Sequence, residues 1–240
     1  MSDIPREKFD GPTEIDSDSL TWSKKAISEG YMHRFSWFGR PVIQFPQDLI
    51  AIQEIVFEIK PDLVIETGIA HGGSLAFTAS LLELNTFFGG PKDASVLGID
   101  IDIRSHNLKA LNEHPLRGRI NFVEGDSTDP DVINRVKKET LRKKTVMVIL
   151  DSNHTEDHVL SELLAYADLV SVGSYCVVLD TIIEFLPEDF FPDRPWSPGN
   201  NPYTALQKFL SMNKDFLPQN SINQKIGISA APGGYLLRKN

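Results

Sequence analysis

Residues 61–74 read Pro-Asp-Leu-Val-Ile-Glu-Thr-Gly-Ile-Ala-His-Gly-Gly-Ser, and no other stretch restricts the fold as strongly. Leu63, Val64 and Ile65 form a short apolar run, the mark of a strand buried on both faces. Glu66 closes it, Gly68 supplies a turn, and Gly72, Gly73 and Ser74 lead into Leu75, Phe77, Leu81 and Leu82, an apolar pattern at helical spacing. A buried strand, a glycine turn and a helix start make the ligand-binding corner of an open α/β sheet. Glycines let backbone approach a ligand, and the helix start offers unpaired N–H groups. Such a turn can also be a packing device alone, so the rest of the chain must discriminate.

Similar strands recur downstream. Residues 96–100, 120–124, 145–150 and 174–179 are apolar runs with an acid at or just after the end, and 48–59, 131–143, 156–166 and 203–212 read as helices. Such alternation predicts a parallel sheet with helices on both faces. Residues 224–229, the turn 231–234 and residues 235–238 read as a closing β-hairpin. The predicted fold is α/β: a doubly wound, mostly parallel seven-stranded Rossmann-like sheet ending in an antiparallel hairpin, the layout of a class I methyltransferase.

A chain of 240 residues suits one large domain with an N-terminal extension, which we divide as 1–47 and 48–240. Residues 1–20 are acidic and read as an arm or lid. Residues 21–47 concentrate aromatic and basic side chains, among them Trp22, Tyr31, Arg34, Trp37, Phe38 and Arg40. They read as core packing or a homo-oligomer contact, with a substrate-pocket wall as the sharper alternative. Net charge is −9 without a dense Lys/Arg block, which argues against a nucleic-acid partner. The one cysteine, Cys176, lies in the apolar run 175–179 and reads as a small buried hydrophobe. With no signal-like N-terminus and no apolar run of about 18 residues, the expectation is a cytoplasmic protein without a membrane partner. Residues 184–202, rich in proline, break the rhythm as a long irregular segment, and such segments often carry function.

Ligands of open α/β sheets bind beyond the carboxyl ends of the strands. Glu66, Asp100, Asp126, Asp151 and Asp180 are all expected there. One acid could be a helix cap, but five like charges on one rim call for cations. The spacing Gly-x-x-x-Gly-Gly departs from the dinucleotide fingerprint, and an acid at the first strand's end repels a pyrophosphate. S-adenosylmethionine, with ammonium and sulfonium charges, fits better. Glu66 and the turn from Gly68 through His71 and Gly72 to Ser74 would hold its methionine end, Asp100 its ribose, and Asp126 with Ser127 its adenine. Asp151, also bordering the cofactor, and Asp180 are hard oxygen ligands suited to Mg²⁺. His154, three residues after Asp151, has the side chain for a general base at neutral pH. Asp151 and His154 are thus the catalytic candidates.

With these residues in place the sequence resembles the cephalosporin hydroxylase family, from about Phe38 to the C-terminus. The resemblance rests on 46–49 (Pro-Gln-Asp-Leu), 65–74, 98–102, 150–154 (Leu-Asp-Ser-Asn-His), 194–202 and 231–236. That family is composed largely of S-adenosylmethionine- and Mg²⁺-dependent O-methyltransferase-like proteins, including sugar methyltransferases of natural products. The resemblance implies Glu66 as cofactor ligand, Asp151 and Asp180 as metal ligands and His154 as base. Several members carry Glu-Asp where this chain has Leu179-Asp180, so one metal carboxylate is absent, with Thr181 or Asn153 as candidate substitutes. The expected function is O-methylation of a hydroxyl of a sugar or natural-product-like small molecule, in a pocket walled by residues 31–45 and 192–203 with Trp196, Asn200 and Asn201. An accessory cofactor-binding protein without turnover is the alternative that Leu179 favours. An NAD-dependent oxidoreductase is disfavoured by the glycine spacing and the terminal hairpin.

Overall fold

The computed structural model describes residues 16–240. An N-terminal helix α1 (Ser17–Ser28) precedes a short hairpin, β1 (Phe35–Trp37) and β2 (Arg40–Val42), and helix α2 (Pro46–Ile59). The main alternation follows: β3 (Leu63–Thr67), α3 (Gly73–Asn85), β4 (Ser95–Asp100), α4 (Ser105–Asn112), β5 (Ile120–Glu124), α5 (Pro130–Thr140), β6 (Val146–Leu150), α6 (Glu156–Tyr166) and β7 (Tyr175–Val178). After a 3₁₀ turn (Thr181–Phe185) come α7 (Pro202–Met212), β8 (Phe216–Pro218), α8 (Asn220–Ile226) and β9 (Tyr235–Arg238).

Seven strands form one sheet in the order β5-β4-β3-β6-β7-β9-β8. The first five are parallel, and β9 and β8 are antiparallel. Every residue of β3, β6 and β7 is buried, as the continuous apolar runs require of strands covered on both faces. Val64 packs with α2 and α3 residues such as Ile52, Ile55, Leu75 and Leu82, whereas Leu63 and Ile65 pack with Leu163, Leu206 and Phe209 of α6 and α7. Side chains alternate along a strand, so Glu66 falls on Val64's face, under α2 and α3. From β3 the chain runs outward through β4 and β5, then returns to β6 on β3's other side. The crevice between β3 and β6 is the topological switch point where such sheets bind ligands.

The architecture agrees with the sequence expectation, with one correction at the C-terminus. The strand paired with β9 is Phe216–Pro218, not residues 224–229. Residues 224–226 end helix α8, where Ile222 and Ile226, four apart, pack together against the core. Pro218 is tolerated because β8 is the sheet edge. The arm expected over 1–20 lies mostly outside the described residues, and Ser17–Leu20 already belong to α1.

Asp48 pins the C-terminal segment to α2. It is fully buried and accepts from the Ser229 hydroxyl (2.6 Å), the Ala230 amide (2.7 Å) and the Tyr235 hydroxyl (2.7 Å). Burial still pushes its pKa up to about 6, against the pull of those donors. The pinned segment holds the turn after β7 in its turn: Ile182 donates to the Ala230 carbonyl and the Thr181 hydroxyl to the Pro232 carbonyl. Asp48→Ala strands two buried hydroxyls and an amide, and is expected to cost about 3 kcal/mol. Thermal melting at neutral pH checks this; a fall of roughly 10 °C is expected for that cost in a chain of this size.

Candidate active site

Gly68 decides how closely β3 and β6 approach at the switch point. Its φ is +88°, and a Cβ there would lie 1.9 Å from the Asp151 carbonyl oxygen, so only glycine fits. Glu66 sits two residues earlier, within β3, and is 1% exposed. Neither carboxylate oxygen has a hydrogen-bond partner in the structure. Burial pushes its pKa up to about 7; the nearby Ser74 hydroxyl pulls the other way without meeting hydrogen-bond geometry. A buried, unpartnered carboxylate is costly unless a donor or cation meets it.

Asp151 follows β6, Asp180 follows β7, and His154 lies in the loop before α6. His154 Nε2 is 3.1 Å from Asp180 Oδ2 and 4.0 Å from Asp151 Oδ1. One ligand atom from each of the three lies within 4.8 Å of the other two, and each side chain is about one-fifth exposed (21–22%). Low-polarity surroundings, then the charges of Asp180 and Glu66, hold the Asp151 carboxyl well above the usual carboxylate range; the Gln44 amide opposes this. Asp180 takes a left-handed backbone conformation, φ 55°, held by the strapped turn that follows it. The His154 ring lies 4.7 Å from the Trp196 ring, and the Arg194 guanidinium covers Trp196 at 5.2 Å. Residues 194–201 are tied down by Glu184, which accepts from Gly199 N and Asn201 Nδ2, and by Asn200, which accepts from Glu156 N.

Not every expected residue is brought into this cluster. Asp100 turns toward the glycine loop, accepting from Ile69 N (2.8 Å), Ala70 N (3.1 Å) and Asp102 N (3.1 Å). Asp126 accepts from the Thr128 amide and hydroxyl, which lowers its pKa. Ser127 is buried and donates to Glu162. Thr181 is buried with its hydroxyl on Pro232, and Asn153 accepts from the Thr155 amide and hydroxyl. Leu179, 3% exposed, is part of the apolar core beside the acids. Gly72 is the left-handed residue before α3, and the His71 carbonyl is bound by Arg40.

Two features escaped sequence reasoning. Gln44, 5% exposed, flanks Asp151, and its carbonyl oxygen lacks a partner. Glu162, fully buried, accepts from Ser127 (2.6 Å) and Ser152 (2.7 Å) and pairs with His158 at 3.4 Å, so it ties the loop after β5 to the loop after β6. Its signal was present: Val159, Glu162, Leu163 and Tyr166 have the spacing of a buried helix stripe, with an acid inside it.

The profile of the Rhamnosyl O-methyltransferase/CmcI family matches residues 29–239. The chain belongs to that family. A rhamnosyl O-methyltransferase of Mycobacterium bovis is 36% identical over 224 residues, covering 92% of this chain and 80% of its own length. The Mycobacterium leprae enzyme of the same name is 32% identical over 210 residues, covering 85% and 83%. The family and these relatives make the chain an O-methyltransferase, as the sequence led one to expect. Among solved structures, CmcI with Mg and S-adenosylmethionine has a TM-score of 0.58 at 19% identity, covering 96% of this chain and 88% of its own. The O-methyltransferase TomG from Streptomyces achromogenes has a TM-score of 0.53 at 14% identity, covering 94% and 91%. These two likenesses establish the family's fold.

Glu66 supplies a prediction here. Its folded pKa lies above its ordinary value of 4.5, so the folded state holds the proton more tightly. Its contribution to stability is full below about pH 4.5 and is lost as pH rises through about 7. Glu66→Gln removes that loss: at pH 8 and without ligands the variant is expected to be more stable by about 3 kcal/mol. Denaturant unfolding of both proteins at pH 5 and pH 8 checks it. The same variant is expected to bind the methyl donor more weakly.

Proposed function

We propose that this chain is an S-adenosylmethionine-dependent, Mg²⁺-assisted O-methyltransferase acting on a hydroxyl of a sugar or sugar-like natural product. The observation that carries the reading is the convergence of Asp151, His154 and Asp180 beside the unpartnered carboxylate of Glu66 at the switch point. The residues fit both groups. An orphaned buried acid suits the donor's ammonium, and two converging carboxylates suit a hard divalent cation. Relatives named rhamnosyl O-methyltransferase support a sugar acceptor.

In this reading Glu66 and the Gly68–Ser74 turn hold the methionine end, Asp100 the ribose and the Asp126–Ser127 loop the adenine. Asp151 and Asp180 hold the metal, while the hydroxyl of Thr181, expected beside them, is donated to the Pro232 carbonyl. When bound, S-adenosylmethionine supplies an electrophilic methyl group and Mg²⁺ lowers the pKa of an acceptor hydroxyl. His154 Nε2 faces both carboxylates and takes the proton of a hydroxyl placed between them. Transfer to the acceptor oxygen would leave the electron pair of the carbon–sulfur bond on sulfur. Trp196, in tilted contact with His154, keeps the ring in place and offers an apolar face beside the acceptor oxygen. Exposed rings such as Phe38 and Phe87 support self-association as a homo-oligomer. Among the described residues no helix is long and apolar enough to cross a membrane; a cytoplasmic location is part of this proposal.

The test is incubation with S-adenosylmethionine, Mg²⁺ and a panel of rhamnosides and other hydroxylated sugars. Gain of one methyl group by mass spectrometry, suppressed by chelator, is expected. A protein that binds neither S-adenosylmethionine nor its demethylated product by calorimetry, with or without Mg²⁺, ends the proposal.

A further inference from the structure

The β1–β2 hairpin grips the glycine loop from outside the sheet. Arg40, on β2, donates through both Nε (2.9 Å) and Nη2 to the His71 carbonyl, and through Nη2 to Asn107 Oδ1 of α4 at 2.7 Å. Asn107, 2% exposed, passes the constraint on, donating from Nδ2 to the Ala70 carbonyl at 2.8 Å. The amides of the same stretch, Ile69 and Ala70, point to Asp100. Each face of this short loop is thus held: carbonyls by a cation and an amide, N–H groups by a carboxylate. Gly73 brings the hairpin closer still, since a Cβ there would lie 2.1 Å from the Pro41 carbonyl oxygen.

The loop needs such holding. Ala70 is exposed and adopts a left-handed conformation, φ 45°, which a non-glycine residue takes only under constraint. Left free, the loop would lose conformational entropy on receiving a ligand and weaken its affinity. We propose that Arg40 is a positioning residue for the methyl donor: with Asn107 it sets the 69–72 loop in its ligand-ready form before the donor arrives. This rests on the donor site assigned above to the Gly68–Ser74 turn. It gives the N-terminal aromatic–basic segment a task in cofactor binding that neither an interface nor an acceptor wall would provide.

Calorimetry with S-adenosylhomocysteine on the full chain tests it, comparing parent, Arg40→Ala, Arg40→Lys, Asn107→Ala and the Arg40→Ala/Asn107→Ala double variant. Loss of a charge-assisted pair on a preorganised loop is expected to weaken binding about tenfold to a hundredfold in Arg40→Ala. Arg40→Lys keeps a donor for His71 but cannot also bridge to Asn107, so it recovers part of the loss. Because both residues act on one loop, the double variant loses less than the product of the single losses. In turnover, KM for S-adenosylmethionine rises while KM for the acceptor stays. Should Arg40→Ala fail to fold, Arg40→Lys and Asn107→Ala carry the comparison. Parent-like affinity in folded variants, or a change confined to the acceptor's KM, overturns the inference while the assigned activity stands. A parent chain that binds no S-adenosylhomocysteine overturns the donor site and the inference together.

Discussion

Asp151→Ala is expected to lower methyl-transfer turnover by about a thousandfold or more, since a metal's stabilisation of developing charge contributes several kcal/mol. Asp151 is where the site's geometry concentrates. Its backbone amide is bound to the Thr67 carbonyl at the end of β3, and its carboxylate shares a 4.8 Å cluster with His154 and Asp180. With Leu179 in place of an acid, Asp151 and Asp180 are the two carboxylates left for a cation there. The Glu66 pocket stays intact in the variant, so S-adenosylhomocysteine affinity is expected to fall by less than about tenfold, a loss worth no more than one peripheral hydrogen bond. A second signature separates this from simple unfolding. The parent carboxyl is held against burial and against the charges of Asp180 and Glu66. Removing it relieves the ligand-free protein, and Tm is expected to rise as turnover falls. Parent-like turnover in Asp151→Ala removes the metal-assisted mechanism.

The second large effect belongs to His154. His154→Ala is expected to reduce turnover by about 10²- to 10⁴-fold, the usual contribution of a placed general base. The donor's affinity and Mg²⁺ dependence should persist, because Glu66, Asp151 and Asp180 are untouched. Activity of the variant is expected to recover in part as pH rises, since solvent hydroxide can then take the acceptor's proton. Rate measurements from pH 6 to pH 10 with saturating donor check this. A variant whose rate matches the parent at neutral pH would assign His154 a place in the wall of the site rather than a proton. Its contacts with Trp196 and Asp180 make the alanine change a local cavity, so melting should accompany the kinetics.

Much of this arrangement was already written in short-range pattern. The runs at 63–65, 96–99 and 146–150 are apolar at every position, which only a strand covered on both sides satisfies, and acids directly after such runs must emerge at the sheet's carboxyl edge. That is why Glu66, Asp151 and Asp180 could be named together, and why His154, three residues on, followed them. Patterns of the same length failed where a segment's partner is distant. Residues 224–229 carry alternating polarity, but Ile222 and Ile226 bury more as a helix, and Phe216–Pro218 takes the edge beside β9 instead.

The chain's own order of apolar and polar residues determined the parallel sheet, the glycine corner and the rim of carboxylates, because period and strand length are local properties that tertiary contact only confirms. Which side chains face that rim was decided by packing alone. Ser127 turns inward to Glu162, the Thr181 hydroxyl closes on Pro232, and Arg40 reaches across from a separate hairpin to the loop at His71. Each of those choices satisfies a buried or half-buried polar group with a partner between 31 and 51 residues away in the chain, a distance over which no sequence periodicity carries information.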